Sequence, residues 1–295
     1  MTSMPFRIRT VVLALWVALL GAVLATPLGV LPGAASAATK ASVSTVGPVA
    51  LREEPGPIHA GNTFGWYNGG GLVYDEKFVG PLERRWKVEG PGLVRTQHGM
   101  LTLNTFSKGT VSATLNRPGQ QYGRWETRLR SRVYGRTGTS YRVLTELVPV
   151  KDSKERCGEY NIGLNRYNPG KHKLGVYVRN RPDSLYRSTI RSSFGKDQWH
   201  TFAVEVTPKR ISWFFDARVV RTETRPDALS GVHFQVRFTM LAKKGKQMKK
   251  SRMQMDWLRY WNLGAPNKKS TKAPRLDLTE YTLACPPDLR ATAAH

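Results

Sequence analysis

The chain has 295 residues, with 46 Lys or Arg against 21 Asp or Glu, a formal net charge of +25. Its 40% apolar and 10% aromatic content excludes a disordered polymer despite that charge. Two cysteines exclude a disulfide-built mini-protein and a four-cysteine zinc site.

Residues 1–37 read as a secretory leader. Arg7 and Arg9 supply the positive start, Val11 to Ala25 the apolar stretch, and Ala35-Ser36-Ala37 the small-residue cleavage site. A helix over that apolar stretch would span ~22 Å, short of the ~30 Å hydrocarbon core, so it makes no stable membrane span. No later apolar run approaches the ~20 residues a membrane helix needs. Cleavage after Ala37 removes two of the 46 basic residues and none of the 21 acidic ones, leaving +23. The expected location is outside the cell or in its wall. Residues 38–71, rich in Ala, Ser, Thr, Pro and Gly at their start, read as a flexible lead-in.

From residue 72 to residue 263 the pattern is short strands between turn clusters, with no long 3.6-residue period. In residues 122–133, Trp125, Thr127, Leu129 and Val133 alternate with Arg124, Glu126, Arg128, Arg130 and Arg132, the signature of a half-buried antiparallel strand. Phe202, Val204 and Val206 mark a second such strand, and Ile211, Trp213 and Phe215 a third. Near the end, Met253, Met255, Trp257 and Arg259 alternate with Gln254, Asp256, Leu258 and Tyr260. Many strands without intervening helices predict an all-β sandwich of two antiparallel sheets. Residues 264–295 read as a polar, Pro-punctuated tail.

Four blocks carry a family resemblance. They are Leu72-Val-Tyr-Asp-Glu-Lys-Phe, Tyr122-Gly-Arg-Trp-Glu-Thr-Arg-Leu, the run from Trp199 to Asp216, and Met253-Gln-Met-Asp-Trp-Leu-Arg-Tyr. In this order they resemble glycoside hydrolase family 16. The resemblance implies a concanavalin-like jelly roll of two curved antiparallel sheets, with an open cleft for linear polysaccharides. It also implies a catalytic strand with the pattern Glu-x-Asp-x-Glu, or Glu-x-Asp-x-x-Glu where a bulge intervenes. Alternate residues of a strand share a face, so its carboxylates can point together into the cleft. Retaining hydrolysis needs two of them ~5–5.5 Å apart, one as nucleophile and one as acid then base.

The matching segment here is Glu159-Tyr160-Asn161-Ile162-Gly163-Leu164. The resemblance places Glu159 at the nucleophile position and Asn161 where the supporting Asp stands. The acid/base position falls on Gly163 without a bulge and on Leu164 with one, and neither can carry a proton. Losing a general acid costs ~10²–10⁴-fold in rate. Tyr141, Arg142 and Glu146 on the preceding strand are candidate substrate contacts, and Glu146, Asp152 and Glu155 are candidate displaced acids that read first as ordinary solvated carboxylates. Tyr160 alternates with Glu159 and should face away from the cleft.

Lys243, Lys244, Lys246, Lys249, Lys250 and Arg252 place six cations in ten residues, either a solvated loop or a polyanion contact near the cleft rim. The Arg-rich face of residues 124–132 lines the cleft or lies on the opposite sheet; both remain open. The six histidines form no metal constellation, no metal or cofactor is implied, and no specific nucleic-acid motif accompanies the charge. In an oxidising compartment Cys157 and Cys285 either pair, contributing about 4–5 kcal/mol on the chain-entropy model, or stay as two thiols. The sequence leaves the oligomeric state open. The leading expectation is an exported, family-16-like protein that engages extracellular polysaccharide, neutral or anionic, with hydrolysis lost or weak. An active endo-β-glucanase-type glycosidase, a lyase on an acidic polysaccharide, and a charge-driven cell-wall polyanion binder are the alternatives.

Overall fold

A computed structural model describes residues 58–150, 160–180, 184–192, 194 and 197–280. The leader, Cys157, Glu159 and Cys285 lie outside these residues, as do Asp152 and Glu155. Two eight-stranded antiparallel sheets face each other, the all-β jelly-roll sandwich expected from the sequence.

The first sheet is built from β1 (Leu72–Glu76), β3 (Leu93–Gln97), β4 (Met100–Asn104), β6 (Gly123–Val133), β11 (His200–Val206), β12 (Ile211–Phe215), β13 (Arg218–Glu223) and β15 (Ser251–Trp261). Its order is β13-β12-β11-β6-β15-β4-β3, with β1 also on β15. The second contains β2 (Trp86–Glu89), β5 (Val111–Leu115), β7 (Arg142–Pro149), β8 (Tyr160–Tyr167), β9 (Lys173–Asn180), β10 (Ser184–Arg191), β14 (Phe234–Leu241) and β16 (Asp277–Glu280). Its order is β16-β10-β9-β8-β7-β14-β5-β2. No described helix is long and apolar enough to cross a membrane.

Alternation builds the core between the sheets. Trp125 and Leu129 of β6 meet Phe202 and Val204 of β11 on one side and Ile162, Val178 and Phe238 of the second sheet on the other. The regular alternation expected through β15 is corrected at Asp256, where the register against β6 shifts between Met255 and Trp257. Met253 and Met255 face the core before the shift, and Leu258 and Tyr260 after it. A bulge adds one residue and so exchanges the faces.

The expected lead-in is corrected over its last residues. α1 (Ala60–Phe64) lies on the outer face of the first sheet, where Ala60, Phe64 and Trp66 bury against Phe214 and Trp261. One turn of helix has no stability of its own. Its first free N–H groups, on Ala60 and Gly61, donate to the Glu126 carboxylate at 2.6 and 3.0 Å. Glu126 is fully buried, and burial pushes its carboxyl up from 4.5 to about 7, opposed by those backbone bonds and by Arg259. Between those values the folded state holds a proton that the unfolded chain has released. Stability from this group therefore falls as pH rises from about 4.5 to 7, by a total on the order of 3 kcal/mol. Thermal unfolding of Glu126→Gln beside the parent should give the parent the steeper decline between pH 5 and 7.5; parallel profiles would refute the shift.

The expected tail is also corrected where it is described. Residues 262–276 cross the outer face of the first sheet before β16 joins the edge of the second. Their anchor is a buried ionic cluster. Glu205, with no exposed surface, accepts from Arg124 Nε at 2.7 Å, Arg210 Nη2 at 2.6 Å and Asn267 Nδ2 at 2.7 Å. Asn267 Oδ1 in turn accepts from Trp66 Nε1 at 2.7 Å, tying the two terminal segments together.

Candidate functional site

The outer face of the second sheet displays rows of side chains that run across the strands, because residues paired in register share a face. One row reads Arg237, Glu146, Gly163, Tyr177 and Arg187, from β14 through β7, β8 and β9 to β10. Asn161 shares this face, in register with Arg179 of β9.

Gly163 and Leu164, the two residues singled out in the sequence analysis, lie at this point of β8. The register of β8 is regular from Tyr160 to Gly163 and shifts only between Gly163 and Arg166, so the bulge comes after Gly163 and leaves that residue in phase with Asn161. Leu164 turns into the core with 1% exposure, and Asn165 is buried with Nδ2 donating to the Val143 carbonyl at 3.2 Å. Gly163 stays on the outer face, and the Tyr177 ring fills the space a side chain would take. A Cβ on Gly163 would lie 2.2 Å from Tyr177 Cε1.

Glu146 is not the solvated carboxylate the sequence suggested. It is 3% exposed, its Oε1 accepts from the Tyr177 hydroxyl at 2.5 Å, and its Oε2 accepts from Arg237 Nη2 at 2.9 Å. Burial pushes the Tyr177 hydroxyl well above its ordinary value and the Glu146 charge adds to this, so Tyr177 remains a donor. Both Glu146 oxygens are thus already engaged.

Around this row the face is cationic. A groove of about 1190 Å³ is lined by Arg142, Arg166, Lys173, Arg179, Arg187 and Arg191, with Asp277 at its edge. A second hollow of about 400 Å³ lies beside it, lined by Glu89, Glu146, Arg179 and Arg237, so Arg179 borders both. Partial burial pushes the Arg166 guanidinium down from its ordinary value, and the charges of Arg142, Arg179 and Arg187 push it further.

Of the residues named from sequence, Arg142 and Glu146 line these hollows and Asn161 lies on their face. Tyr141 is corrected: it is a core residue with no exposed surface, in phase with Val143 and Leu147. Tyr160 faces the core as expected. Lys243, Lys244 and Lys246 sit on an exposed loop after β14 and line neither hollow. The Arg-rich face of β6 lies on the first sheet, where Arg128 pairs with Asp256 and Arg130 and Arg132 approach Asp197. Arg166, Tyr177, Arg179, Arg187 and Arg237 escaped the sequence reading. The alternation of Lys173, Gly175, Tyr177 and Arg179 with Leu174, Val176 and Val178 carried the signal for two of them.

The profile of Glycosyl hydrolases family 16 matches residues 84–259, more than half of the chain. The chain is 20% identical over 185 residues to Crh-like protein 3 of Botryotinia fuckeliana, and 23% identical over 172 residues to Crh-like protein 2 of Aspergillus fumigatus. Those alignments take in 62% and 57% of this chain, which spans 39% and 36% of the two relatives. The fold is similar to that of the laminarinase catalytic domain from Thermotoga maritima, with a TM-score of 0.52 at 12% identity, covering 65% of this chain and 97% of that one. It is also similar to the endo-β-1,3-glucanase from Pyrococcus furiosus, with a TM-score of 0.53 at 11% identity, covering 65% and 94%.

Proposed function

The chain belongs to glycosyl hydrolases family 16, and from that premise we propose that it engages extracellular polysaccharide along the outer face of its second sheet, with two-carboxylate hydrolysis lost or weak. One observation carries this reading. Neither candidate for the acid/base position can carry a proton: Tyr177 closes over Gly163, and Leu164 turns into the core. Retaining hydrolysis requires a proton donor at the leaving oxygen, and β8 (Tyr160–Tyr167) offers none at that position. Export through a cleaved leader at residues 1–37 belongs to the same proposal, as do Glu159 and Asn161 as hydrogen-bonding groups beside the bound sugar.

Glu146 favours a second reading, an active glycosidase with a displaced acid. It lies one strand over from Gly163 and borders the hollow. Its bonds from Tyr177 and Arg237 oppose that role, since a general acid must hold a proton on an oxygen that reaches the substrate. Incubation of the purified protein with laminarin should release no more reducing ends than Glu159→Gln and Glu146→Gln do. Release by the parent that either substitution abolishes would establish the second reading in place of the first.

A further inference from the structure

The groove's own arginines carry the reading further than its missing carboxylate does. Five adjacent strands contribute arginines to the face: Arg237 from β14, Arg142 from β7, Arg166 from β8, Arg179 from β9, and Arg187 with Arg191 from β10. Strands lie ~4.8 Å apart, so these cations span ~19 Å across the sheet. On the first sheet, the arginines of β6 meet Asp256 and Asp197. On this face Arg237 pairs with Glu146, whereas among the described residues no ion pair engages Arg142, Arg166, Arg179 or Arg187, and the one acid in the groove, Asp277, stands opposite Arg187 in the register. Arg166 and Arg179 are half-buried and are repelled by each other and by the exposed Arg142 and Arg187, an arrangement that is costly to assemble with so little counter-charge. Their fixed forks suit planar carboxylates and tetrahedral oxyanions, which they can hold through two bonds at once.

We propose that this groove binds a polysaccharide bearing repeated oxyanion groups, carboxylate or sulfate, with Arg166, Arg179 and Arg187 as the central contacts. The inference rests on the polysaccharide reading above and names the class of that polymer. The groove's tyrosines oppose both a neutral glycan and a nucleic acid. Tyr167 and Tyr177 are 4% and 3% exposed, so neither offers an open ring for a sugar or a base to stack on.

Titration calorimetry of the full chain tests this with four probes: alginate oligosaccharides for carboxylate, carrageenan oligosaccharides for sulfate, laminarin oligosaccharides for neutral glucan, and single-stranded oligothymidylate. One or both anionic glycans should bind, and the responding probe identifies the oxyanion. The triple variant Arg166→Gln/Arg179→Gln/Arg187→Gln should weaken that binding by about 100-fold or more, since each charged hydrogen bond lost costs about tenfold or more. A charge-matched control, Lys244→Gln/Lys269→Gln/Lys272→Gln, should lose less than about threefold, because its charges are exposed and screened. Arg187→Glu, at an exposed position, keeps the test valid if the triple variant fails to fold, and should weaken binding by at least about tenfold. Equal losses in the two triple variants would overturn the inference in favour of general charge attraction. Oligothymidylate binding as tightly as the glycans would overturn it as well. Laminarin binding alone, unchanged by the arginine substitutions, would sink the anionic class and leave the polysaccharide reading standing. Binding of no glycan at all would remove both.

Discussion

A single methyl group added at Gly163 is expected to lower the melting temperature by about 6–12 °C. Glycine inside a strand usually costs about 0.5–1 kcal/mol relative to alanine, so Gly→Ala would ordinarily stabilise. Here the sign reverses. The new Cβ would stand 2.2 Å from Tyr177 Cε1 and 2.5 Å from its Cζ, and the ring has little freedom to retreat. Tyr177 is 3% exposed, its hydroxyl is committed to Glu146, and its backbone pairs with both Gly163 and Arg187. Overpacking of this kind costs about 3 kcal/mol at the upper end, and about 2–4 °C accompanies each kcal/mol in a domain of this size. Calorimetry of Gly163→Ala, Tyr177→Ala and the double variant checks it. The double variant should be more stable than the sum of the single losses, because the second truncation removes the clash. Additive losses would mean that the ring does not fill this space.

The second large effect lies on the other sheet. Glu205→Ala should destabilise the protein by about 3–5 kcal/mol, because it strands the Arg124 guanidinium in the interior. Arg124 is 3% exposed, and after the loss of Glu205 its side chain keeps the Asn262 carbonyl at 3.3 Å and the face of Trp66 at 5.4 Å. Glu205→Gln keeps the shape and one acceptor, and should lose less. The substitution also removes the acceptor of Asn267, so hydrogen exchange in residues 264–276 should accelerate more than exchange in β9 or β14. A loss under about 1 kcal/mol would show that Arg124 finds other partners or water once Glu205 is gone.

The sandwich was legible because alternation is a local property. Trp125, Thr127 and Leu129 against Arg124, Glu126 and Arg128 define a buried and an outer face without any knowledge of the neighbouring strands. The same reasoning in phase with Val143 would have placed Tyr141 in the core, where it lies. Other features depend on partners far along the chain. Glu146 reads as a solvated acid until Tyr177 and Arg237, 31 and 91 residues away, close over it. Glu126 reads only as one of the alternating residues of its strand, but the N–H groups it receives come from residues 65 and 66 positions earlier. The bulge at Asp256 exchanges the faces of β15 with no Gly or Pro to announce it. The arginine-lined groove is the extreme case, since each of five strands shows only one or two unremarkable cations and only the register assembles them.

The place of β15 in the first sheet has a consequence for how the molecule is made. Synthesised from residues 251–261, this strand lies between β6 and β4 and also pairs with β1, and its contact between Gln254 and Arg130 closes a separation of 124 residues. A nascent chain lacking it holds that sheet only as two fragments and an unpaired β1, with bare hydrogen-bonding edges where the central ribbon belongs. Pairing over such distances is slow, and an intermediate with open edges is prone to join another copy of itself. The sandwich therefore closes only after nearly all the described chain has emerged, and until then the molecule depends on being kept apart from its neighbours.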